Sequence, residues 1–234
     1  MNAIDPVAKF DHSRAAEYET QSRIALAGYD ACHELGACLL SAHLGSAAKT
    51  ILVAGAGGTG QEIRAMGRLE PHWRFVAADP SAAMLEQAMQ RVHSEKLSHR
   101  VQAFDLPVEA LPMAPRFDAA TLIGVLHHVP SADAKHGLLR ALAERLQPGA
   151  PLIIAGNCHV YESQPLFLQA WARRWRMAGA SEAEVAAKLG KIRSGAVPPG
   201  SEAEVEALLA QAGFARPLRF FSSLFWSAWI AFKG

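Results

Sequence analysis

The stretch that decides the fold is Thr50-Ile51-Leu52-Val53-Ala54-Gly55-Ala56-Gly57-Gly58-Thr59-Gly60-Gln61-Glu62. Its first five residues are apolar or branched and predict a buried strand, whereas four glycines in the next six positions predict a sharp turn against which a ligand can lie. We expect a helix to follow directly, with its free N–H groups pointing at whatever lies on the turn. A strand, a glycine turn and a helix in this order are typical of a nucleotide-type cofactor site.

Predicted strands and helices alternate along the chain after this stretch. Apolar runs bounded by turn residues predict the strands, and apolar residues at helical spacing predict the helices between them. The strands are predicted over residues 51–54, 74–78, 100–104, 117–123 and 151–155, and the helices over 61–68, 81–93 and 132–146. This order predicts an α/β fold with a Rossmann-like, mostly parallel sheet, helices on both faces and a ligand site at the carboxyl ends of the strands.

The flanking sequences have a different pattern, and the chain is predicted to be a single domain with four parts. These are additional N-terminal helices over residues 1–48 (helical from 7 to 48), the cofactor-binding core over 49–156, a helical lid insertion over 157–200 (helical from 163 to 190), and a C-terminal part over 201–234. The C-terminal part is predicted to contain a helix over 202–212 and two strands that meet around Ser222-Ser223. These two strands bring the predicted sheet to seven.

Composition and charge restrict the class of partner. The 234 residues are 50% hydrophobic and 19% charged, which is typical of one globular domain. The net charge of +1 gives no basic surplus for nucleic acid, so a small-molecule acceptor is expected instead. The cysteines Cys32, Cys38 and Cys158 form no Cys-x-x-Cys pair, which predicts reduced thiols and no metal site.

The sequence also restricts the location of the protein. Met1–Pro6 has no charged segment followed by an apolar run, so no signal peptide is expected. No segment approaches about 18 uninterrupted apolar residues, so no membrane span is expected. We therefore expect a cytoplasmic protein without a membrane partner, and the sequence leaves a homodimer open.

Two acidic residues follow predicted strands at places that suit a nucleoside. Asp79 comes just past the second strand, 24 residues after Gly55, where a carboxylate accepts hydrogen bonds from a ribose diol. Asp105 comes just past the third strand, where a carboxylate can accept a hydrogen bond from an adenine amino group. Because the carboxyl ends of parallel strands share one edge of the sheet, we expect both carboxylates beside the glycine turn.

This series of landmarks resembles the class I S-adenosylmethionine-dependent methyltransferases over residues 50–156. The glycine turn is similar to their first motif, Val76–Ser81 to their second, Asp105-Leu106 to their adenine-reading pair and Phe117–His128 to their fourth. The resemblance implies S-adenosyl-L-methionine as cofactor, and it implies the cofactor-binding residues Gly55, Ala56, Gly57, Asp79, Pro80, Met84, Asp105 and Leu106.

The flanks resemble a narrower group, the tRNA-uridine carboxymethyltransferases, which use carboxy-S-adenosylmethionine. The resemblance is carried by Phe10-Asp11, Gly28-Tyr29, Leu208–Phe214 and Phe220–Trp229. It implies that Tyr29 and Ile123 contact the cofactor and that Arg193 binds the cofactor's extra carboxylate, for which a guanidinium is suited.

The chain departs from these families at two places. Ile123 is apolar where the carboxymethyltransferase group has a polar residue. The acidic residue that commonly precedes the glycines is replaced by Val53 or Ala54, so the methionine end of the ligand must be held differently. We therefore favour S-adenosylmethionine over its carboxylated form and a small acceptor over tRNA.

Polar residues after the fourth and fifth predicted strands are the candidate catalytic groups. Methyl transfer from a sulfonium requires alignment, and it requires a base where the acceptor must lose a proton. The candidates are His127, His128, Asn157, His159 and Tyr161. Of these we predict His127 and Asn157 to be catalytic and Tyr161 to contact the substrate, together with Trp175 of the lid as an aromatic wall.

Methyl transfer to a small-molecule acceptor is the function that we expect, and three alternatives stay open. In the first, the ligand's own α-amine attacks its γ-carbon, which gives azetidine-2-carboxylate and methylthioadenosine; the missing acid before the glycines motivates it. The second is carboxymethyl transfer to tRNA uridine. The third is a cofactor-binding subunit without catalysis.

Overall fold

A computed structural model of the chain describes residues 12–234, and their side chains from residue 18 onward. Met1–Pro6 and Phe10-Asp11, on which two of the expectations above depend, lie outside the described residues. The helices are α1 (His12–Ala25), α2 (Tyr29–Leu44), α3 (Gln61–Leu69), α4 (Ala82–Ser94), α5 (Ala132–Arg145), α6 (Pro165–Met177), α7 (Glu182–Gly195) and α8 (Glu202–Gln211). The strands are β1 (Thr50–Ala54), β2 (Arg74–Ala78), β3 (Val101–Phe104), β4 (Ala119–Ile123), β5 (Pro151–Asn157), β6 (Phe214–Ser223) and β7 (Trp226–Lys233).

The strands form one sheet in the order β3-β2-β1-β4-β5-β7-β6. β1 pairs in parallel with β2 and β4, β2 pairs in parallel with β3, and β4 does so with β5. β7 runs antiparallel to both β5 and β6. The prediction of a Rossmann-like, seven-stranded, mostly parallel sheet with helices on both faces is confirmed.

Two long predicted helices are each divided in the structure. The helix predicted over residues 7–48 breaks between α1 and α2, where Gly28 adopts a left-handed conformation with φ 83°. The helix predicted over 163–190 breaks between α6 and α7 at a turn that contains Gly179, with φ 92°. Ser181 then starts α7 as an N-cap within a capping box. Both segments are helical within the described residues, as predicted, but the positions of the breaks were not predicted because helical spacing alone does not reveal a glycine that reverses the chain.

The C-terminal hairpin and the start of β4 also differ from the predicted boundaries. The hairpin turns at Leu224 and Phe225, where Leu224 has φ 53°, rather than at Ser222-Ser223. β4 begins at Ala119, because Phe117 forms only an isolated bridge to Leu146 outside the sheet.

Alternating residues of β1 pack into two separate hydrophobic cores, one on each face of the sheet. Leu52 packs into the cluster that contains Leu142 of α5 and Trp229 of β7. Ile51 and Val53 pack into the opposite cluster with residues of α2 and α3. Successive strand residues point to opposite faces, so a strand buried on both faces needs apolar residues throughout. This requirement explains the apolar run that precedes the glycine turn.

The two neighbours of β1 place the glycine turn at the point where the strand order reverses. The chain proceeds from β1 to β2 and β3 on one side, and returns to β4 and β5 on the other. Connections that leave in opposite directions open a crevice at the carboxyl ends of such strands. The turn after β1 and Gly124 after β4 border this crevice.

Helix α1 lies across the crevice and is fastened to both the core and the lid. Arg91 of α4 pairs with Glu19 of α1 at 3.0 Å and donates to the carbonyl of Gly58 at 2.9 Å. On the lid side, the indole N–H of Trp171 in α6 donates to the carbonyl of Ala25 at 2.8 Å. Core, α1 and lid are therefore connected by direct hydrogen bonds.

None of the helices within residues 12–234 combines the length and the apolar character needed to cross a membrane.

Candidate functional site

A cavity of about 670 Å³ lies at the carboxyl ends of β1, β4 and β5. The sheet side of the cavity is formed by the turns that follow these strands, and α1, α6 and α7 form its roof. The lining residues from the sheet side include Gly55, Gly57, Thr59, Glu62, Ile123, Gly124, His127, His128, Asn157 and Trp226. Those from the helices include Tyr18, Tyr29, His33, Trp171, Trp175, Lys188, Lys191 and Ile192.

The glycine turn leaves no space for side chains where it borders the cavity. Gly55 and Gly58 have positive φ angles of 70° and 88°. A Cβ on Gly57 would lie 2.5 Å from Cβ of Met84 and 2.6 Å from Oδ2 of Asp79. The turn therefore presents bare backbone to the cavity, which is what close approach of a ligand requires.

The Asp79 carboxylate fixes this turn. Its Oδ2 accepts a hydrogen bond from the Gly57 amide at 2.9 Å, and its Oδ1 accepts one from the Ser81 amide at 2.8 Å. Burial raises the pKa of Asp79, and the two amide hydrogen bonds oppose this shift. Asp79 thus lies directly beside the turn, as the sequence predicted, and it has a structural role there before any ligand binds.

The residues predicted to bind the adenine end lie along the same sheet edge, outside the cavity lining. Asp105 and Leu106 are exposed just past β3. The amide of Asp79 donates to the carbonyl of Phe104 at 3.1 Å, which holds the ends of β2 and β3 together. Pro80 is exposed and Met84 is buried beneath the turn. The role of these residues in binding adenine stays a prediction.

His127, Asn157 and Tyr161 form one polar group inside the cavity. Nδ2 of Asn157 donates to the hydroxyl of Tyr161 at 2.8 Å. The Asn157 amide N–H donates to Nδ1 of His127 at 3.4 Å, and the His127 ring lies edge-on to Trp226 with centroids 5.4 Å apart. Oδ1 of Asn157 is buried and accepts no hydrogen bond from residues 12–234. The structure thus brings together three of the residues that the sequence singled out.

Aromatic side chains form the lid side of the cavity. Trp175 is buried and lines the cavity, with the ammonium of Lys188 4.8 Å from its ring centroid. Trp171 packs against Tyr161 and Phe225 at centroid distances of 5.9 and 4.8 Å. Two tryptophans of α6 therefore line the cavity, and the role of Trp175 as an aromatic wall for the substrate stays a prediction.

Arg193 has a different position from the one that its predicted role requires. Its Nε lies 3.6 Å from the carboxylate of Glu162, and about half of its side chain is exposed. Arg193 is not among the described residues that line the cavity. Its neighbours Lys191 and Ile192 face the cavity instead, because α7 turns that side of the helix inward.

His159, another candidate, lies apart from the cavity in a small cluster with Cys158 and Glu202. Glu202 is already engaged by Arg219 and by the Ser227 hydroxyl.

Tyr18 and Glu62 line the cavity but were not identified from the sequence. The Tyr18 ring lies 2.5 Å from the position that a Cβ on Gly58 would occupy. The Tyr18 hydroxyl lies 3.8 Å from the position that a Cβ on Gly124 would occupy. Tyr18 therefore spans the gap between the two turns, and burial raises its pKa to about 12. In the sequence, Glu62 was distinguished only by its place in the first turn of the helix that follows the glycines.

Glu62 and His33 are buried side by side with opposite pKa shifts. Burial raises the pKa of Glu62 to about 7, and the negative charge of Asp79 adds to the shift. Burial lowers the pKa of His33 to about 4. Oε2 of Glu62 lies 3.8 Å from Nε2 of His33, so this pair is not a strong ion pair at neutral pH.

Residues 54–152 match the sequence model of a family described as "Methyltransferase domain". The match runs from the end of β1 into β5 and covers somewhat less than half of the chain. A search of curated protein sequences found no match.

Several solved structures of methyltransferases are similar to this chain over nearly its whole length. An O-methyltransferase family 2 protein from Planctomyces limnophilus, in complex with apigenin, is 18% identical with a TM-score of 0.68, over 96% of this chain and 62% of that one. Human N-acetylserotonin methyltransferase, in complex with S-adenosylmethionine, is 15% identical with a TM-score of 0.68, over 100% of this chain and 60% of that one. The O-methyltransferase NcsB1 from neocarzinostatin biosynthesis is 19% identical with a TM-score of 0.63, over 97% of this chain and 58% of that one.

The chain spans less than two thirds of the length of each of these proteins. At these identities the likeness concerns the fold, and the chain has the fold of S-adenosylmethionine-dependent methyltransferases.

Substitution of Gly57 should destabilise the protein more than substitution of an unconstrained glycine. Gly57→Ala places a methyl group within 2.6 Å of Met84 and Asp79, and such overpacking costs about 1–3 kcal/mol. Gly137→Ala, in exposed α5 with open space around it, should instead stabilise the protein by about 0.5–1 kcal/mol. Urea denaturation of both variants measures the difference, and equal stabilities would contradict the close packing described for the turn.

The Glu62 carboxyl should make stability depend on pH. A folded-state pKa of about 7 exceeds the ordinary 4.5, so the folded protein binds a proton that the unfolded chain releases between these values. The contribution of Glu62 therefore becomes unfavourable as pH rises from 4.5 to 7. Glu62→Gln should gain stability over the wild type between pH 5 and pH 8, on the order of 2 kcal/mol.

Chemical denaturation at the two pH values measures this gain. The pKa of His33 is about 4 in the folded state and the ordinary 6.5 in the unfolded chain, so His33 also affects stability in this range, but it is present in both proteins and its contribution cancels in the comparison. A stability difference that does not change with pH would show that Glu62 has an ordinary pKa.

Proposed function

We propose that this chain is an S-adenosylmethionine-dependent methyltransferase that acts on a small-molecule acceptor. The fold, the methyltransferase family match over residues 54–152 and the similar solved structures support this proposal. The observation that carries it is the Gly57–Asp79 contact: a turn without room for a Cβ, braced by a half-buried carboxylate, beside a cavity at the switch point of the sheet.

The described residues fit the cofactor that the fold implies. The bare backbone at Gly55 and Gly57 offers amides to a ligand at the N-terminal end of α3. Asp79 would accept hydrogen bonds from the ribose hydroxyls. Asp105 and Leu106 would hold the adenine at the exposed end of β3. Tyr29 and Ile123 line the cavity where the methionine portion would lie. When bound, the cofactor would supply an electrophilic methyl group on its sulfonium.

The cavity walls would position the acceptor and exclude water. Trp175 and Tyr161 line the space in which the sulfonium would lie, and aromatic rings attract cations. We propose that His127 removes the acceptor's proton through Nδ1, which must first release the 3.4 Å hydrogen bond from the Asn157 amide, and that Asn157 orients the acceptor through its unpartnered Oδ1. The structure from Planctomyces limnophilus holds apigenin, a flat aromatic molecule, and a flat acceptor also suits these walls.

Two features favour unmodified S-adenosylmethionine and a small acceptor. Arg193, which would bind the extra carboxylate of carboxy-S-adenosylmethionine, is paired with Glu162 outside the cavity lining. The net charge of +1 gives little electrostatic attraction for tRNA. The cytoplasmic location stays a prediction, and a homodimer stays a possibility that the sequence left open.

A second candidate is intramolecular cyclisation of the same ligand, favoured by the end of β1. The usual place of the carboxylate that binds the methionine amine is occupied by Val53 and Ala54, which are apolar and completely buried. The amine nitrogen, once deprotonated, would attack the γ-carbon while the γ-carbon–sulfur bond breaks. The electron pair of that bond would leave on sulfur as methylthioadenosine, and the ring would close to azetidine-2-carboxylate.

Loss of the Asp79 charge should weaken cofactor binding. Asp79→Asn keeps the shape of the side chain but replaces one acceptor oxygen by an NH₂ group facing an amide donor, so affinity for S-adenosylhomocysteine should fall about 10-fold or more. Asp133→Asn, at an exposed position in α5, is the matched control and should bind like the wild type. Calorimetry measures both, and failure of the wild-type protein to bind S-adenosylhomocysteine would end the proposed function.

Incubation with S-adenosylmethionine alone should separate the two chemistries. A methyltransferase leaves the cofactor intact without an acceptor, because the methyl group has no recipient. Mass spectrometry of the reaction mixture is therefore expected to show neither methylthioadenosine nor azetidine-2-carboxylate above the level of an enzyme-free control. Stoichiometric appearance of both products would overturn methyl transfer in favour of cyclisation.

A further inference from the structure

Glu62 is a buried acid in the cavity with no role in the site described so far. It occupies the first turn of α3, directly after the glycine turn, and its residue is 7% exposed. Its side chain lines the same cavity as Gly55, Gly57 and Thr59. A carboxylate in such a position is costly unless a cation or hydrogen-bond donors compensate it.

The described residues around Glu62 supply no cation at neutral pH. His33 is the one described side chain paired with it, and its Nδ1 lies 2.8 Å from the carbonyl oxygen of Tyr29. A carbonyl can only accept, so Nδ1 carries the proton. Because the pKa of His33 is about 4, its Nε2 then has a lone pair and cannot donate to Glu62 at neutral pH.

The other titratable groups that interact with Glu62 come from three further parts of the molecule. They are Tyr18 of α1, Tyr29 and Cys32 of α2, and Asp79 after β2. Burial raises the pKa values of both tyrosines and of Cys32, so all three are neutral at pH 7, and Asp79 contributes a second negative charge. The lysine that lies over Trp175, Lys188, donates to Gln21 instead.

We propose that Glu62 is the counter-ion of the ligand's α-ammonium group and replaces the acid that is missing before the glycine turn. This inference rests on the proposed cofactor, because S-adenosylmethionine carries such an ammonium at its methionine end. Val53 and Ala54, at the usual place of that acid, are sealed within the sheet. Glu62 lies eight residues after Ala54, at the start of α3, and it lines the cavity with a carboxyl group.

A hydrogen bond from the backbone amide of Glu62 itself favours the carboxylate, but the described residues around it supply no cation, and the ammonium would supply one. Bound ligand would therefore stabilise the ionised form of Glu62 and lower its pKa. Affinity for an ammonium-bearing ligand should accordingly rise with pH between 6 and 8, as the free protein loses the proton from Glu62. A ligand without the ammonium should show no such rise.

The test compares two ligands that differ only in the amino group. S-adenosylhomocysteine carries the ammonium, and its deaminated analogue lacks it but keeps the carboxylate. With Glu62→Gln, calorimetry at pH 8 should show affinity for S-adenosylhomocysteine reduced by about 30-fold or more, and affinity for the deaminated analogue within about 2-fold of the wild type. Glu206→Gln, an exposed position in α8, is the matched control.

The outcomes separate this inference from the proposed function. A wild-type protein that binds neither ligand would refute both. A wild-type protein that binds both ligands, with a Glu62→Gln variant that weakens them equally or weakens neither, would overturn only the role of Glu62. The wild-type pH dependence decides the matter independently of how the variant folds: an S-adenosylhomocysteine affinity that does not rise between pH 6 and 8 contradicts the proposal.

Discussion

The Asp79 carboxylate accepts hydrogen bonds from two amides that belong to different elements, Gly57 in the turn after β1 and Ser81 at the start of α4. These two bonds fix the turn against α4 so closely that a methyl group on Gly57 would overlap both Asp79 and Met84. The backbone that faces the cavity therefore has one conformation before any ligand arrives. Every other contact in the site, from Tyr18 above the turn to Glu62 behind it, is placed relative to this braced backbone.

The lid belongs to the same framework through α1. Trp171 and Arg174 of α6 donate hydrogen bonds of 2.8 Å to the carbonyls of Ala25 and Ile24, respectively. These carbonyls lie at the end of α1, where no further helical turn provides N–H donors for them. On the other side, Arg91 joins α1 to the carbonyl of Gly58. The aromatic wall and the glycine turn are thus held by one helix, so the geometry of the cavity depends on residues far apart in the sequence.

The sequence predicted those features that depend on local pattern and failed where distant packing decides. Strands β1, β4 and β5 were recognisable because strands buried on both faces need uninterrupted apolar residues. The glycine turn with Asp79 was recognisable because its spacing is fixed by one strand and one helix. The breaks at Gly28 and Gly179 were missed, since glycine inside an apolar period has no distinct helical signature. Tyr18, Glu62 and the outward position of Arg193 depend on how helices dock, which no local pattern encodes.

The position of Tyr18 has a consequence for how tightly any ligand is held. Its ring lies on Gly58 and its hydroxyl reaches toward Gly124, so the side chain occupies the gap between the two turns. A ligand that runs along this gap would bind only those molecules in which the Tyr18 side chain has left it, and its measured affinity would equal the intrinsic affinity multiplied by the fraction of such molecules. If about one molecule in a hundred were open, observed binding would be about a hundredfold weaker than the contacts alone would give. The bonds that fasten α1 to the core and lid hold Tyr18 in place, so they would lower the occupancy of the site at a given ligand concentration.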